Sequence, residues 1–124
     1  MNKKRQVIWD KSNGHCWYCG MELGETGWHI DHLEPVFRNV AVGGFLEPEN
    51  DNDENKVPAC ASCNLNKHSL SLEEWREVLE GYVNSLNRDS TPYRFAKRYG
   101  LIEETPKRVT FWFEGNIQKT TAQS

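Results

Sequence analysis

The spacing of apolar residues predicts one long amphipathic helix in the second half of the chain. Five large apolar side chains recur at intervals of three or four residues: Leu72, Trp75, Leu79, Tyr82 and Leu86. This spacing places them on one face of a helix, which is most simply a packing face. Ser71, followed three residues later by Glu74, predicts the cap at the start of this helix.

A shorter helix is predicted directly afterwards, in the segment TPYRFAKRYG. Thr91 is expected at the N-cap, and Pro92 at the first helical position. Proline suits that position because its fixed backbone angle is already helical and no hydrogen bond from its nitrogen is needed there. Gly100 predicts the end of the helix.

Two short extended segments are predicted in the first half of the chain. TGWHIDHLEPV contains the β-favouring residues Trp28 and Ile30 and is expected to end at Pro35. A long polar loop follows, which includes the acidic run EPENDNDEN, and then the short extended segment KVPAC. A helix is expected to begin near the cysteine pair that comes next.

The C-terminal part of the chain contains one more alternating segment, RVTFWFEG. Val109, Phe111 and Phe113 would lie on one side of a strand there. At 124 residues, with 37% hydrophobic residues, the chain suits one compact domain. We therefore predict a single domain over 1–124, with a core at 15–68, an extension at 69–115 and a flexible tail at 116–124.

The four cysteines occur as two pairs with the spacing of metal ligands, Cys16 with Cys19 and Cys60 with Cys63. Paired C-x2-C motifs suit a tetrahedral zinc ion better than a disulfide framework. The metal would join a strand, a loop and a helix across 40 intervening residues. It would thus substitute for a hydrophobic core that a region of this size lacks.

Composition and charge exclude several classes of protein. No apolar run is long enough to span a membrane, and the N-terminal segment MNKKRQVIWD lacks the apolar region of a signal peptide. We therefore expect a cytoplasmic protein, in a reducing compartment, with no membrane partner. The formal net charge of −3 excludes a globally basic nucleic-acid binder. Any nucleic-acid site must combine a local basic patch with a metal ion.

A second group of metal-binding side chains lies in the segment WHIDHL, which contains His29, Asp31 and His32. One interpretation is a single metal that uses the cysteines and this cluster together. The more economical one has two sites, because thiolates select zinc whereas a carboxylate suits a harder ion that keeps water ligands. Asp31 could then bind a divalent cation while His32, as a neutral imidazole, accepts a proton from water.

The order of these motifs is specific. Cys16-x2-Cys19, then HIDHLEP, then ENKVPACASCNLNK resembles the zinc-stabilised branch of the HNH endonuclease family, over about residues 15–68. The resemblance implies an α+β fold, in which a small, treble-clef-like ββα-metal core carries additional C-terminal helices and a strand. It also implies that the four cysteines hold a structural zinc ion.

The resemblance assigns catalytic roles by position. His32 resembles the general base, and Asp31 resembles a ligand of the catalytic cation. Asn55 resembles the middle asparagine, whose side chain braces the loop and orients the base. Asn64, which stands where the family often has histidine, resembles the second cation ligand.

Four further residues are assigned less direct roles. Lys67 fits a basic residue that is frequent at this place in the family, and with Arg38 it would hold phosphate groups of the nucleic acid. His68 lies one helical turn after Asn64, so it is a candidate for a third cation ligand. His29 is a further candidate for contact with the cation.

The implied activity is metal-dependent hydrolysis of DNA phosphodiester bonds, which leaves 5′-phosphate and 3′-hydroxyl ends. The implied cofactors are structural Zn²⁺ and a catalytic Mg²⁺, Mn²⁺ or similar ion. One site cuts one strand, so a double-strand break needs a homodimer or two successive nicks. The expected partners are duplex DNA and, in a phage or bacterial setting, a homodimer or a larger assembly for restriction, defence or phage genome processing.

Two other functions compete with this interpretation. A zinc-stabilised module that binds nucleic acid or protein without catalysis would keep the same residues. A nucleobase deaminase needs H-x-E followed by P-C-x-x-C, and the chain contains HLE and PACASC. In the second sequence the proline is one residue out of place, and Cys16 and Cys19 would have no role. Both alternatives predict that Mg²⁺-dependent strand cleavage is absent.

Overall fold

The structure of the protein is a computed structural model, and it describes residues 1–37, 43–44 and 46–117. The chain divides into two compact units: Met1–Leu72 together with the segment that begins at Thr110, and Glu73–Val109. The single domain predicted over the whole chain stays a prediction. Most of the predicted C-terminal tail, from residue 118 onward, lies outside the described residues.

The regular elements, in chain order, are α1 (Lys3–Asp10), β1 (His29–His32), β2 (Lys56–Ala59), α2 (Ala61–Lys67), α3 (Leu72–Asp89), α4 (Thr91–Arg98) and α5 (Trp112–Asn116). Two single turns of 3-10 helix, Pro48–Asn50 and Asp53–Asn55, lie in the acidic loop before β2. The predicted α+β class is confirmed. None of the helices in the described ranges is both long and apolar enough to cross a lipid bilayer.

The two strands form an antiparallel ribbon in which His29 faces Ala59 and His32 faces Lys56. Pro58 is tolerated in this ribbon because both strands are edge strands, where a missing N–H group breaks no central ladder. Its carbonyl accepts a hydrogen bond from the Trp17 N–H at 2.8 Å. The ribbon is thereby attached to the first cysteine pair.

Helix α1 was not predicted from the sequence, although its cap is visible there. The side chain of Asn2 accepts a hydrogen bond from the Arg5 N–H at 2.9 Å, as an N-cap residue does. The Arg5 guanidinium lies 3.9 Å from the ring centre of Trp28 and donates to the Trp28 carbonyl. Lys11, just after the helix, donates to the carbonyls of Asp53 and Lys56. These contacts attach α1 to the segments that flank and form the ribbon.

The predicted C-terminal strand is wrong. Trp112–Asn116 forms the short helix α5, and Glu114 accepts a hydrogen bond from the Phe111 N–H at 2.7 Å, which closes its first turn. The Trp112 and Phe113 N–H groups donate to backbone carbonyls in the first cysteine pair, at 2.9 and 3.0 Å. The alternation of aromatic residues therefore reflects packing on that turn, where the rings of Phe113 and Trp17 stack at 5.3 Å.

Helices α3 and α4 form most of the second unit. Helix α3 begins directly after Ser71, as predicted, but the cap of α4 is the side chain of Ser90 and not that of Thr91. Ser90 accepts from the Tyr93 N–H at 3.2 Å, so the helix starts at Thr91, one residue earlier than predicted. Gly100 ends α4 as predicted, with φ +74° and the paired hydrogen bonds of a Schellman motif.

Candidate active site and metal centre

The four cysteines converge on one point of the first unit. The Sγ atoms of Cys16, Cys19, Cys60 and Cys63 all lie within 4.8 Å of one another, and those of Cys19 and Cys60 are 3.9 Å apart. Four sulfurs at about 2.3 Å from a tetrahedral zinc ion would be roughly 3.8 Å apart. The cluster therefore fits the predicted zinc ion, and no disulfide links these residues.

The backbone around the cluster favours negative charge on sulfur. The Cys60 N–H donates to Cys16 Sγ, and the Cys63 N–H donates to Cys60 Sγ, each at 3.3 Å. The pKa of Cys16 is lowered to about 4, chiefly by a hydrogen bond from the Cys63 thiol. The same hydrogen bond and burial raise the pKa of Cys63. A second thiolate is thus opposed by the first, and a cation at the centre would remove this repulsion.

Asp31 lies on β1 and is largely withdrawn from solvent, with 11% of its side chain exposed. Its Oδ2 atom accepts a hydrogen bond from the Tyr18 hydroxyl at 2.5 Å. Burial, followed by the negative charge of Asp31, raises the pKa of Tyr18, so this hydroxyl stays protonated and donates. The Lys67 ammonium is 3.3 Å from the same oxygen.

Lys67, the last residue of α2, is buried: only 1% of its side chain is exposed. Besides its ion pair with Asp31, its ammonium donates to the His32 carbonyl at 3.0 Å. The ammonium thus faces protein acceptors. The phosphate contact predicted for Lys67 stays a prediction. Arg38, the other predicted phosphate ligand, lies outside the described residues.

His32 ends β1 and contacts Asp51, a residue that was not among the predicted site residues. Its Nε2 atom is 3.0 Å from Oδ1 of Asp51, which belongs to the acidic loop. A carboxylate only accepts hydrogen bonds, so Nε2 carries the proton and Nδ1 is the nitrogen that takes up another. This contact lowers the pKa of Asp51. In the sequence, the one feature that could have drawn attention to Asp51 was the unusual density of acidic residues in this loop.

Asn55 closes the loop that follows β1. Its side-chain oxygen accepts from the Glu34 N–H at 2.9 Å, and its amide donates to the carbonyls of Glu34 and Asn50, both at 2.7 Å. The Asn55 carbonyl also accepts from the Leu33 N–H at 2.8 Å. One side chain thus fixes the backbone directly after His32 to the acidic loop that carries Asp51. The orientation of the catalytic base by Asn55 stays a prediction.

Asp31 and His32 line the same cavity, although successive residues of a strand point to opposite faces. They share it because His32 is the last residue of the strand. The cavity has a volume of about 620 Å³, and His68 lines it too. His68 follows α2 with φ +53°, so its side chain leaves the helix direction and faces this space. An apolar side of the cavity is formed by Pro35, Val36, Phe37 and Leu46.

Two other predicted cation ligands, His29 and Asn64, lie away from the lining of this cavity. His29 is exposed at the start of β1, Asn64 is half-buried on α2, and neither is among the residues that line this cavity. Across the residues that the structure describes, the four cysteines are the one set of three or more His, Cys, Asp or Glu whose ligand atoms converge. His32 is not part of that set, which contradicts the deaminase alternative, where histidine and cysteine share one zinc ion.

The comparison with known families agrees with this arrangement. A family model described as HNH endonuclease matches residues 16–70. Residues 16–70 are an HNH endonuclease domain. The HNH domain begins at Cys16 and ends just after α2, so it contains both cysteine pairs, the β ribbon and the cavity residues Asp31, His32 and His68.

One curated relative and one solved structure show where similar chains occur. The SPbeta prophage protein YoqL of Bacillus subtilis strain 168, which carries a provisional HNH endonuclease name, is 31% identical over 101 residues. The match covers 73% of this chain but only 38% of YoqL, so the chain spans well under half of that relative. The type II-C Cas9 enzyme of Actinomyces naeslundii is similar over 60% of this chain and 7% of that enzyme, at 26% identity. Its TM-score is 0.48, so this likeness carries no weight for the function.

Proposed function

We propose that the HNH domain hydrolyses phosphodiester bonds of DNA with the help of one divalent cation, Mg²⁺, Mn²⁺ or a similar ion, and leaves 5′-phosphate and 3′-hydroxyl ends. The observation that carries this proposal is the cavity shared by Asp31 and His32, inside a domain of the HNH family. It brings a carboxylate and an imidazole to one space that is open to a substrate.

His32 is the general base in this mechanism. Asp51 accepts the Nε2 proton and thereby selects the tautomer whose Nδ1 lone pair can remove a proton from water. Asn55 holds the loop after His32, which limits the motion of the imidazole relative to the substrate. A base that is held in the right tautomer and position contributes most to proton transfer.

The catalytic cation would be held by Asp31 and by the side-chain oxygen of Asn64, with His68 or His29 as a further ligand. Mg²⁺ commonly uses one or two carboxylates together with water and substrate phosphate, so a sparse set of protein ligands suits it. When bound, such a cation stabilises negative charge on the phosphorus oxygens and on the leaving 3′ oxygen. Asp31 offers Oδ1 for this purpose, because Oδ2 already accepts from Tyr18.

The cysteine cluster supports this site and takes no part in the reaction. Zinc bound by the four thiolates would fix the start of α2, because Cys60 caps this helix and Cys63 lies in its first turn. Free thiols of this kind require a reducing compartment, which supports a cytoplasmic location. Duplex DNA is the proposed substrate, and cleavage of both strands would use a homodimer, a larger assembly or two successive nicks.

The proposal is tested by incubating zinc-loaded protein with supercoiled plasmid and Mg²⁺ or Mn²⁺, and by following nicked and linear products. We expect EDTA to abolish cleavage and His32→Ala to slow it by roughly 10²–10⁴-fold, the usual contribution of a general base. Asp31→Asn should also be slow, whereas Asp89→Asn, an exposed carboxylate on α3, should cleave like the parent chain.

The orientation of the base is tested by Asp51→Asn. The amide still accepts a hydrogen bond but carries no charge, so we expect a smaller loss of about 2–5-fold, as for other exposed ion pairs. Equal rates for His32→Ala and the parent protein would refute the nuclease mechanism. A folded, zinc-loaded chain that binds DNA but cuts none under any of these cations would favour the non-catalytic binding module.

A further inference from the structure

Two donors from different parts of the HNH domain meet on one oxygen of Asp31. The Tyr18 hydroxyl is 2.5 Å from Oδ2, and the Lys67 ammonium is 3.3 Å from the same atom. Within the described residues, Oδ1 of Asp31 accepts no hydrogen bond. The carboxylate is therefore held from one side, and its other oxygen is left for a ligand.

The burial of Lys67 calls for an explanation, because lysine is almost never fully buried unless its charge is paired. Removing an ammonium from water costs several kcal/mol, and an ion pair offsets this only with good geometry and further hydrogen bonds. Lys67 meets both conditions, with Asp31 on one side and the His32 carbonyl on the other. The ammonium thus connects two adjacent residues of β1.

Both donors come from the cysteine motifs. Tyr18 lies between Cys16 and Cys19, and Lys67 ends the helix that Cys60 caps. The position of each donor relative to β1 therefore depends on the geometry of the cysteine cluster. The two cysteine-bearing segments thus carry both groups that contact the proposed cation ligand.

We propose that Tyr18 and Lys67 are positioning residues of the HNH site. They hold Asp31 through Oδ2 so that Oδ1 is presented to a divalent cation, and Lys67 also fixes the His32 backbone so that base and cation ligand keep a constant separation. This inference rests on the proposed function for the roles of Asp31 and His32. It assigns to Lys67 a contact with protein acceptors in place of a contact with phosphate.

The direct test measures Mn²⁺ affinity of zinc-loaded protein, by the electron paramagnetic resonance signal of free Mn²⁺, so that no DNA cleavage is needed. Tyr18→Phe removes one donor and leaves the ring. We expect it to weaken Mn²⁺ binding by roughly 10–100-fold, the usual effect of losing a partner of a metal ligand, while the zinc content stays unchanged. Tyr99→Phe, an exposed tyrosine, is the matched control and should bind like the parent chain.

Lys67→Met has a different expected signature. Loss of the ammonium also removes its repulsion of the cation, so Mn²⁺ binding should not weaken. The single-turnover cleavage rate at saturating Mn²⁺ should instead fall by roughly 10–100-fold, because the base and the cation ligand are no longer connected. Lys107→Met, at an exposed position of the second unit, is the control for loss of a lysine charge.

A double-mutant cycle with Asp31→Ala separates positioning from a general loss of structure. Tyr18→Phe should have no further effect on Mn²⁺ affinity once its acceptor is gone. The proposal is overturned if Tyr18→Phe binds Mn²⁺ like the parent protein, if its effect persists in Asp31→Ala, or if the parent protein binds no Mn²⁺. Mn²⁺ binding that depends on Tyr18, without any strand cleavage, would support the positioning role and refute the proposed function. If Lys67→Met loses its zinc, the Mn²⁺ affinity of Tyr18→Phe decides the proposal.

Discussion

The contact between α5 and the first cysteine pair predicts an unusual intolerance to a single methyl group at Gly20. Gly20 has φ +81°, and a Cβ atom built there would lie 2.2 Å from Cδ1 of Trp112. Cβ atoms essentially never approach another heavy atom this closely, to within 3.0 Å, so the indole ring would have to move. Gly27 provides a matched control in the same unit, because its φ is +84° and no atom lies within 4 Å of the added carbon.

The two substitutions share the cost of a left-handed backbone, about 1–2 kcal/mol for a residue with a side chain. Only Gly20→Ala also displaces Trp112. A displaced ring loses its stacking with His15, whose ring centroid is 5.1 Å away. A shift of the start of α5 that makes room for the methyl group would also break the hydrogen bond from the Trp112 backbone N–H to the Tyr18 carbonyl. Each of these contacts is worth roughly 0.5–1.5 kcal/mol. We therefore expect Gly20→Ala to cost about 2–5 kcal/mol and Gly27→Ala about 1–2 kcal/mol.

Urea unfolding of the two variants, followed by tryptophan fluorescence, measures this difference. Trp112→Ala should remove the extra cost of Gly20→Ala, because the clash has no partner in that background. Equal destabilisation of Gly20→Ala and Gly27→Ala, within about 0.5 kcal/mol, would refute the packing of α5 on the cysteine turn. The result also bears on activity, since the same turn carries Tyr18.

Two further predictions concern metal removal and pH. A strong zinc chelator should unfold the first unit, because zinc bound by four cysteines typically contributes folding free energy directly. The circular dichroism signal should fall as zinc is released. An unchanged spectrum after complete zinc release would contradict a structural role for the metal. Glu104 accepts hydrogen bonds from Asn87, Lys97 and Tyr93, and these bonds lower its pKa. The stabilisation that Glu104 contributes is therefore present above about pH 4.5 and is lost as the pH falls through the lowered pKa. Urea titrations across this range should show a flatter acid limb for Glu104→Gln than for the parent chain, and Glu103→Gln, next to it in the chain, should not reproduce that change.

Local sequence patterns predicted the parts of the protein whose signals are short-range. The two C-x2-C spacings predicted the convergence of four thiols, and the period of apolar residues predicted α3. Both signals lie within a few residues, where spacing alone decides which side chains can meet. The resemblance to HNH endonucleases then directed attention to Asp31, His32 and Asn55. Their hydrogen bonds are properties of the folded chain.

Tertiary structure alone decided the partners of these residues. Asp51 reaches His32 from 19 positions away, and Lys67 is withdrawn from solvent against Asp31. The aromatic run near the C-terminus has the alternation of a strand, yet it forms α5 because its N–H groups find acceptors on the cysteine turn. The physical reason is the same in each case. Sequence spacing fixes which groups a segment presents, whereas the free energy of burying a charge or an N–H group depends on acceptors that packing brings from elsewhere in the chain.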